Sequence, residues 1–458
     1  MTAVFSGEEI MEVCKARLAS GMMSNDAGPL VSDTRLLGEG QWYIAFPGEK
    51  FDGHDFLGDA FVAGSIGAIV QERAHYSIGS KTFPLIAVDD TLLAYQQLAR
   101  NWRQRISPRV VGITGSSGKT TTKEMCAAVF CNSRRCQYSA KNENNEFGVP
   151  KTLLAMPDDT QVAVIEMAMR GLGQIEQLAK CALPDVGIIT NVGTAHIELL
   201  GSRENIAIAK CELLEHLHPT RGVAILGSNS EALVNRAKAV FNGTIHIFEE
   251  ENIEIVEADP EKTCFKIKGS EQLFEVKAHG MPLISDAWCA VMAGRVLGLT
   301  DAEIADGLKF FKTVGGRGNR VHAPNGALII DESYNANPES VRAAIMALRD
   351  GNAFPQKNKF VVLGDLLELG AQGPALLEEL GGWLKANPVS LLITVGTLAR
   401  HIFAGASGAA FEVVHCQDMQ IAEEELRRRM DNDTCILIKG SRGARLDKLV
   451  GALAAQTA

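Results

Sequence analysis

The stretch that most constrains this chain is Val110-Val111-Gly112-Ile113-Thr114-Gly115-Ser116-Ser117-Gly118-Lys119-Thr120-Thr121. It opens as an apolar, β-branched strand, breaks into a small-residue loop over 114–118, and resumes as a helical pattern from 120 to 130. Glycine lets backbone N–H groups wrap a polyphosphate, because no Cβ blocks close approach. Lys119 would reach the outer phosphates, Thr120 can offer its hydroxyl to Mg²⁺, and the helix N-terminus adds partial positive charge. The general phosphate-loop pattern wants glycine where Ile113 stands, so this is a shorter Gly-x-x-Gly-Lys-Thr variant. An ordinary Gly/Ser turn is the plainer explanation, but Gly-Lys-Thr falls where strand passes to helix.

A chain of 458 residues has room for about three domains, and its patterning predicts an α/β fold in each. Residues 1–105 read as a small mixed α/β domain, with strands over 29–35, 41–46, 68–71 and 85–88 and helices over 56–63 and 92–105. Residues 106–315 alternate apolar strands (110–114, 162–167, 186–191, 222–226) with amphipathic helices. That alternation marks a doubly wound parallel sheet, here a P-loop ATPase domain. Residues 316–458 read as a Rossmann-like α/β domain with strands over 327–330, 359–363, 391–395 and 435–438. The joint Thr313-Val314-Gly315-Gly316-Arg317-Gly318-Asn319-Arg320 is Gly-rich and basic. It reads as a flexible linker, or as a hinge that swings Arg317 or Arg320 onto ATP.

Composition excludes some partners. A net charge of −10 with no long basic run argues against nucleic acid, whose phosphates need a Lys/Arg footprint. No apolar run reaches the length of a membrane span, and the first twelve residues lack the basic start of a signal peptide. The ten cysteines form no Cys-x-x-Cys, so free thiols in a reducing cytoplasm are expected.

Two strands besides the first end in residues suited to chemistry. Glu166 follows 162–165, and His196 follows the strand over 186–191 in Gly193-Thr194-Ala195-His196. Ligands of open parallel sheets sit at the carboxyl ends of the strands. Lys119, Thr120, Glu166 and His196 are therefore expected on one edge, sharing Mg-ATP. Lys210 lies on the apolar stripe of a helical pattern over 204–218, where an unpaired ammonium is costly. Either it snorkels or pairs with a carboxylate such as Glu166, or it is modified by CO₂ to a carbamate. Ser32-Asp33-Thr34-Arg35 and Phe51-Asp52-Gly53-His54-Asp55 read, from residue types alone, as turn chemistry. Ala327-Leu328-Ile329-Ile330-Asp331-Glu332 has the look of a Walker B box and would suit a motor-type ATPase, but its strand belongs to a different sheet on this reading.

The assembled motifs resemble the Mur ligase family over nearly the whole chain. The family's phosphate loop matches Thr114-Gly115-Ser116-Ser117-Gly118-Lys119-Thr120-Thr121, which accounts for Ile113. Its Asn-rich segment facing the uridine-linked substrate matches Asn142-Glu143-Asn144-Asn145-Glu146-Phe147-Gly148-Val149-Pro150. Asn191-Val192-Gly193-Thr194-Ala195-His196-Ile197-Glu198 and Ala209-Lys210-Cys211-Glu212 match the segments with a metal-binding His and a carbamylated Lys. The dipeptide-adding branch is indicated by Asp331-Glu332-Ser333-Tyr334-Asn335-Ala336-Asn337-Pro338-Glu339-Ser340, Gly364-Asp365-Leu366-Leu367-Glu368-Leu369-Gly370 and Lys439-Gly440-Ser441-Arg442. Two departures occur. The family's His-Asn-x-x-Asn-Ala segment, near the adenine, is here Ser285-Asp286-Ala287-Trp288-Cys289-Ala290, with Trp288 taken as a stacking partner for the base. Its Asn-Ala-Asp segment is here Gly227-Ser228-Asn229-Ser230-Glu231.

The resemblance implies an ATP-dependent ligase that activates a carboxylate as an acyl phosphate and couples it to an amine. The implied substrates are UDP-MurNAc-tripeptide and D-Ala-D-Ala, and the implied cofactors are ATP and two Mg²⁺ ions. Thr120 and Glu166 would serve one ion, His196 and carbamylated Lys210 the other, with Lys119 and Arg317 on the phosphates. Ser32, Arg35, Asn144 and Asn145 would face the UDP-linked substrate. Asn335, Asn337, Ser340 and Arg442 would face the dipeptide. By the same resemblance, domain 1–105 binds the UDP substrate, 106–315 binds ATP and 316–458 receives the dipeptide, in a cytoplasmic monomer.

Overall fold

A computed structural model of the chain describes residues 2–23, 25–72, 76, 83–259, 261–277, 280–349 and 353–455. At its centre is a sheet of six parallel strands, in the order Thr244–Ile247, Val223–Leu226, Val186–Ile189, Arg109–Thr114, Val162–Glu166 and Cys136–Tyr138. The chain lays its later strands on both sides of Arg109–Thr114, so the phosphate-loop strand sits where the winding reverses. In such sheets that crevice is where ligands bind.

The pleat explains the residue pattern of that strand. Val110 faces a core shared with the helices Thr91–Ile106, Gln174–Ala182 and Arg203–Glu215, while Val111 and Ile113 face the opposite core. There they meet Met125 and Val129 of the helix Lys119–Cys131 and Ala290 of the helix Met281–Val296. Ile113 is fully buried, and burying such a side chain is worth roughly 1.5–3 kcal/mol. Glycine at 113 would forfeit that packing.

The first domain holds a five-stranded sheet ordered Arg17–Ser20, Leu85–Val88, Gly67–Gln71, Trp42–Ile44 and Leu30–Val31, parallel except at the Arg17–Ser20 edge. The strand expected over 29–35 is only Leu30–Val31. Asp33 then accepts from the Arg35 N–H and turns the chain into a 3₁₀ turn, Thr34–Leu36. A further antiparallel sheet, Ile253–Ala258, Thr263–Ile267 and Phe274–Val276, was not expected from the sequence. It buries Phe265 and Phe274 against the second face of the central core.

The last domain is a sheet ordered Asn319–His322, Leu328–Glu332, Thr434–Lys439, Asn358–Gly364, Leu391–Val395 and Glu412–Cys416. Only Asn319–His322 runs antiparallel. Leu328–Glu332 therefore lies in a separate sheet from the phosphate loop, and Glu332 is ion-paired with Lys439 at 2.7 Å. This removes the Walker B reading.

Candidate active site

The loop after Arg109–Thr114 is held open by its neighbour strand. Asn191 is the organiser: its carbonyl accepts from the Ser116 N–H at 3.1 Å, its Oδ1 accepts from the Ser117 N–H at 3.0 Å, and its Nδ2 donates to Ser117 Oγ at 2.9 Å. Gly118 has φ 78° and caps the helix Lys119–Cys131. A Cβ there would stand 2.5 Å from Asp286 Oδ1, so only glycine fits. Lys119 folds back and donates to the Gly115 carbonyl at 2.7 Å. Burial holds its ammonium below the ordinary lysine range, against an opposing pull from Glu166.

Glu166 is 1% exposed at the end of its strand. Its Oε1 accepts from Thr120 Oγ1 at 3.2 Å and Asn144 Nδ2 at 2.8 Å, and its N–H donates to Ser139 Oγ at 3.1 Å. Its other oxygen, Oε2, is buried with no hydrogen-bond partner. Buried polar atoms are nearly always satisfied, and a carboxylate oxygen beside a hydroxyl suits a hard cation.

Lys210 is 1% exposed on Arg203–Glu215. The ion pair with Glu166 considered from the sequence is not formed, and among the described residues no carboxylate pairs with it. Burial, reinforced by Lys119, holds its ammonium far below the ordinary lysine range. His196 has φ 65°, and its Nδ1 lies 2.9 Å from Glu368 Oε2, out of hydrogen-bond alignment. Burial depresses its pKa, Glu368 opposes that, and Lys119 and Lys210 add to it. Among the described residues no group of three or more His, Cys, Asp or Glu side chains could hold a metal. An ion here would need Thr120 and a chemically altered Lys210 as well.

These residues border a cleft of about 900 Å³ between the central and last domains. Ser116, Ser117, Gly118, Lys119, Thr120, Thr121, Asn144 and Glu166 line its central wall, and Arg317, Asn335, Asn337 and Ser340 line the opposite wall. Arg317 stacks 4.0 Å from the Tyr334 ring, and Arg442 lies 5.4 Å from the same ring. Asn337 and Ser340 form a reciprocal capping box at the start of Pro338–Leu348. Gly115, His196, Lys210 and Arg442 are not among the residues that line the cleft. Asn145 caps its own turn by accepting from the Gly148 N–H at 2.9 Å. Ser32 and Arg35 stay in the first domain and do not line the cleft; Arg35 is exposed and paired with Asp33 at 2.6 Å.

Trp288 does not face the cleft. It is 6% exposed and packs edge-on against Phe248, and Phe248 and Met281 line the cleft in its place. Trp288 is on the side of its helix that faces the sheet, where so large an apolar ring is best buried. Sequence reasoning also gave no role to Asp286. Its carboxyl accepts from Thr122 Oγ1 at 2.9 Å, and burial pushes its pKa up to about 8. Its one signal was its place in a departure from the family pattern.

Comparison with known proteins finds relatives along nearly the whole chain. The family model of the Mur ligase middle domain matches residues 113–294, and that of the Mur ligase, glutamate ligase domain matches residues 316–442. The chain is 35% identical to the UDP-N-acetylmuramoyl-tripeptide–D-alanyl-D-alanine ligase of Bacillus subtilis, over 97% of each chain. It is 31% identical to the enzyme of the same name from Escherichia coli, again over 97% of each. A crystal structure of MurF from Acinetobacter baumannii superposes with a TM-score of 0.88 at 28% identity, covering 99% of this chain and 100% of that one. The MurF ligase of Thermotoga maritima in complex with ADP superposes with a TM-score of 0.81 at 28% identity, covering 93% and 97%. With a phosphate loop and an orphaned carboxylate oxygen at one cleft, and with these relatives along its length, this chain belongs to the Mur ligase family of ATP-dependent ligases.

Proposed function

We propose that this enzyme joins D-alanyl-D-alanine to UDP-N-acetylmuramoyl-tripeptide, converting ATP to ADP and phosphate and giving the pentapeptide precursor of peptidoglycan. The observation that carries the reading is the orphaned Glu166 Oε2 beside Thr120 at the mouth of a phosphate loop, in a chain so closely related to ligases of that name.

The tripeptide carboxylate attacks the γ-phosphorus of ATP, and ADP leaves. The dipeptide amine then attacks the acyl carbon of the acyl phosphate, loses a proton, and phosphate leaves. Two anions meet in the first step, so concentrated positive charge is the main catalytic need. The loop N–H groups hold the phosphates, and Lys119 turns from the Gly115 carbonyl to the outer phosphates. Arg317, already in the cleft, meets the γ-phosphate from the far wall. Glu166 and Thr120 would hold one Mg²⁺, with His196 and the carbamate of Lys210 holding a second. When bound, these ions neutralise the phosphate oxygens. Lys210 suits carbamylation because burial lowers the pKa of its amine, which favours the neutral form that is nucleophilic toward CO₂.

Ser32 and Arg35 of domain 1–105, with Asn144 and Asn145, serve the uridine-linked substrate. Asn335 and Arg442 of domain 316–458 serve the dipeptide, and Asn337 and Ser340 contribute through the helix start they cap. The central domain, 106–315, holds the nucleotide. No helix among the described residues is long and apolar enough to cross a membrane. The reading takes the enzyme as a cytoplasmic monomer.

The test is phosphate release by the purified full chain. It should require ATP, Mg²⁺, UDP-MurNAc-tripeptide and D-Ala-D-Ala together. Release at a comparable rate with ATP and Mg²⁺ alone, or with a single amino acid in place of the dipeptide, would sink this assignment.

A further inference from the structure

We propose that Glu368 and Glu339, two carboxylates of the last domain, are positioning residues that set the His196 loop of the central domain for metal binding. The inference rests on the reading that His196 holds an ion. His196 and Glu368 are both non-glycine residues with left-handed backbones, φ 65° and 63°. Such strain persists only where the surroundings over-determine it. The two strained residues meet across the domain boundary, with Nδ1 and Oε2 separated by 2.9 Å.

The loop is gripped at a second point. Glu339 Oε2 accepts from the Thr194 N–H at 3.2 Å and Thr194 Oγ1 at 2.8 Å, and its Oε1 accepts from Arg203 Nη2 at 2.7 Å. Close approach is built into the backbone as well. A Cβ on Gly193 would stand 3.1 Å from Glu339 Oε2, and one on Gly370 would stand 2.8 Å from Glu198 Cγ.

A histidine that binds a metal needs its other ring nitrogen held, usually by a carboxylate or carbonyl. Glu368 Oε2 stands 2.9 Å from Nδ1, which is buried and has no hydrogen-bond partner in this arrangement; a small turn of either side chain would align the pair and leave Nε2 for the ion. Because that carboxylate comes from the other domain, His196 is oriented only while the domains stand in this arrangement. Metal binding and domain closure are thereby coupled, and the coupling must be reciprocal. The last domain thus acts on the metal site as well as receiving the amine.

The experiment titrates Mn²⁺, read by its electron paramagnetic resonance signal, into the full chain with ADP and bicarbonate present. Variants are Glu368→Gln, Glu368→Asp, Glu339→Gln and His196→Ala. Glu368→Gln is expected to weaken one class of Mn²⁺ site by about 10–100-fold, the usual scale for losing such a partner. Glu368→Asp should recover part of that loss, and Glu339→Gln should show a smaller loss. Glu368 is 55% exposed, so its variants are expected to keep the parent's unfolding temperature, which is measured alongside. Parent-like Mn²⁺ binding in Glu368→Gln, with weakened binding in His196→Ala, would overturn the positioning role and leave the metal reading standing. Parent-like binding in His196→Ala would overturn both.

Discussion

Thr120 Oγ1 donates to Glu166 Oε1 at 3.2 Å, while Glu166 Oε2, on the same carboxylate, is buried without a partner. One oxygen is tied to the phosphate-loop helix, and the other has no hydrogen-bond partner among the described residues. An unsatisfied buried acceptor costs about 1–3 kcal/mol, so the arrangement does not serve stability. Glu166→Gln is therefore expected to leave thermal stability equal or slightly raised. Ligation should fall roughly 100-fold or more, the scale of losing one electrostatic contact with the transition state. Calorimetry and the phosphate assay check the two halves separately.

Lys210 makes a pH prediction with a definite sign. Its folded-state pKa lies well below the ordinary 10.5, so the unfolded chain binds that proton more tightly. Stability of the ligand-free protein must then rise with pH between the depressed value and about 10.4. Lys210→Met should be more stable than the parent at pH 6, with the gap closing toward pH 10, as followed by urea unfolding. Lys210→Ala should lose ligation, and short carboxylic acids should restore part of it by standing in for the carbamate.

Gly118→Ala tests the loop backbone. It places a Cβ at φ 78°, 2.5 Å from Asp286 Oδ1. Strain of about 1–3 kcal/mol is expected, with ATP affinity lowered at least tenfold because the amides of the cradle turn with the backbone. Equilibrium dialysis with ATP and thermal unfolding measure both effects.

Asp286 carries the opposite sign from Lys210. Burial raises its pKa to about 8, against the Thr122 hydrogen bond and the charge of Arg317. The folded state holds this proton more tightly than the unfolded chain does. Its stabilising contribution is complete below about pH 4 and is lost as pH rises to about 8. Asp286→Asn should thus gain on the parent across that interval, by more than about 1 kcal/mol at pH 8. A difference that stays flat from pH 5 to pH 8 would show that the carboxyl ionises normally.

Much of this protein was legible in its sequence because the information is local. A β-branched run, a Gly-Ser-Ser-Gly-Lys-Thr turn and a helical period specify a strand, a phosphate cradle and a helix within a short window. The alternation of such windows specifies parallel α/β sheets. The strand-end placement of Glu166 follows from the same periodicity, whereas His196 stands beyond its strand, Val186–Ile189, at the N-cap of Ile197–Leu200. Relations between distant segments were not available. Trp288 reads equally as a stacking platform or as core until the packing of Met281–Val296 on the sheet turns it toward Phe248. Lys210 could have paired with Glu166, and only the packing of its helix shows that it does not. The roles of Asn191, Asp286, Glu339 and Glu368 depend on which strands and which domains become neighbours. Hydrogen bonds and charges act over a few ångströms, so no residue type announces its partner until the chain has brought the two together.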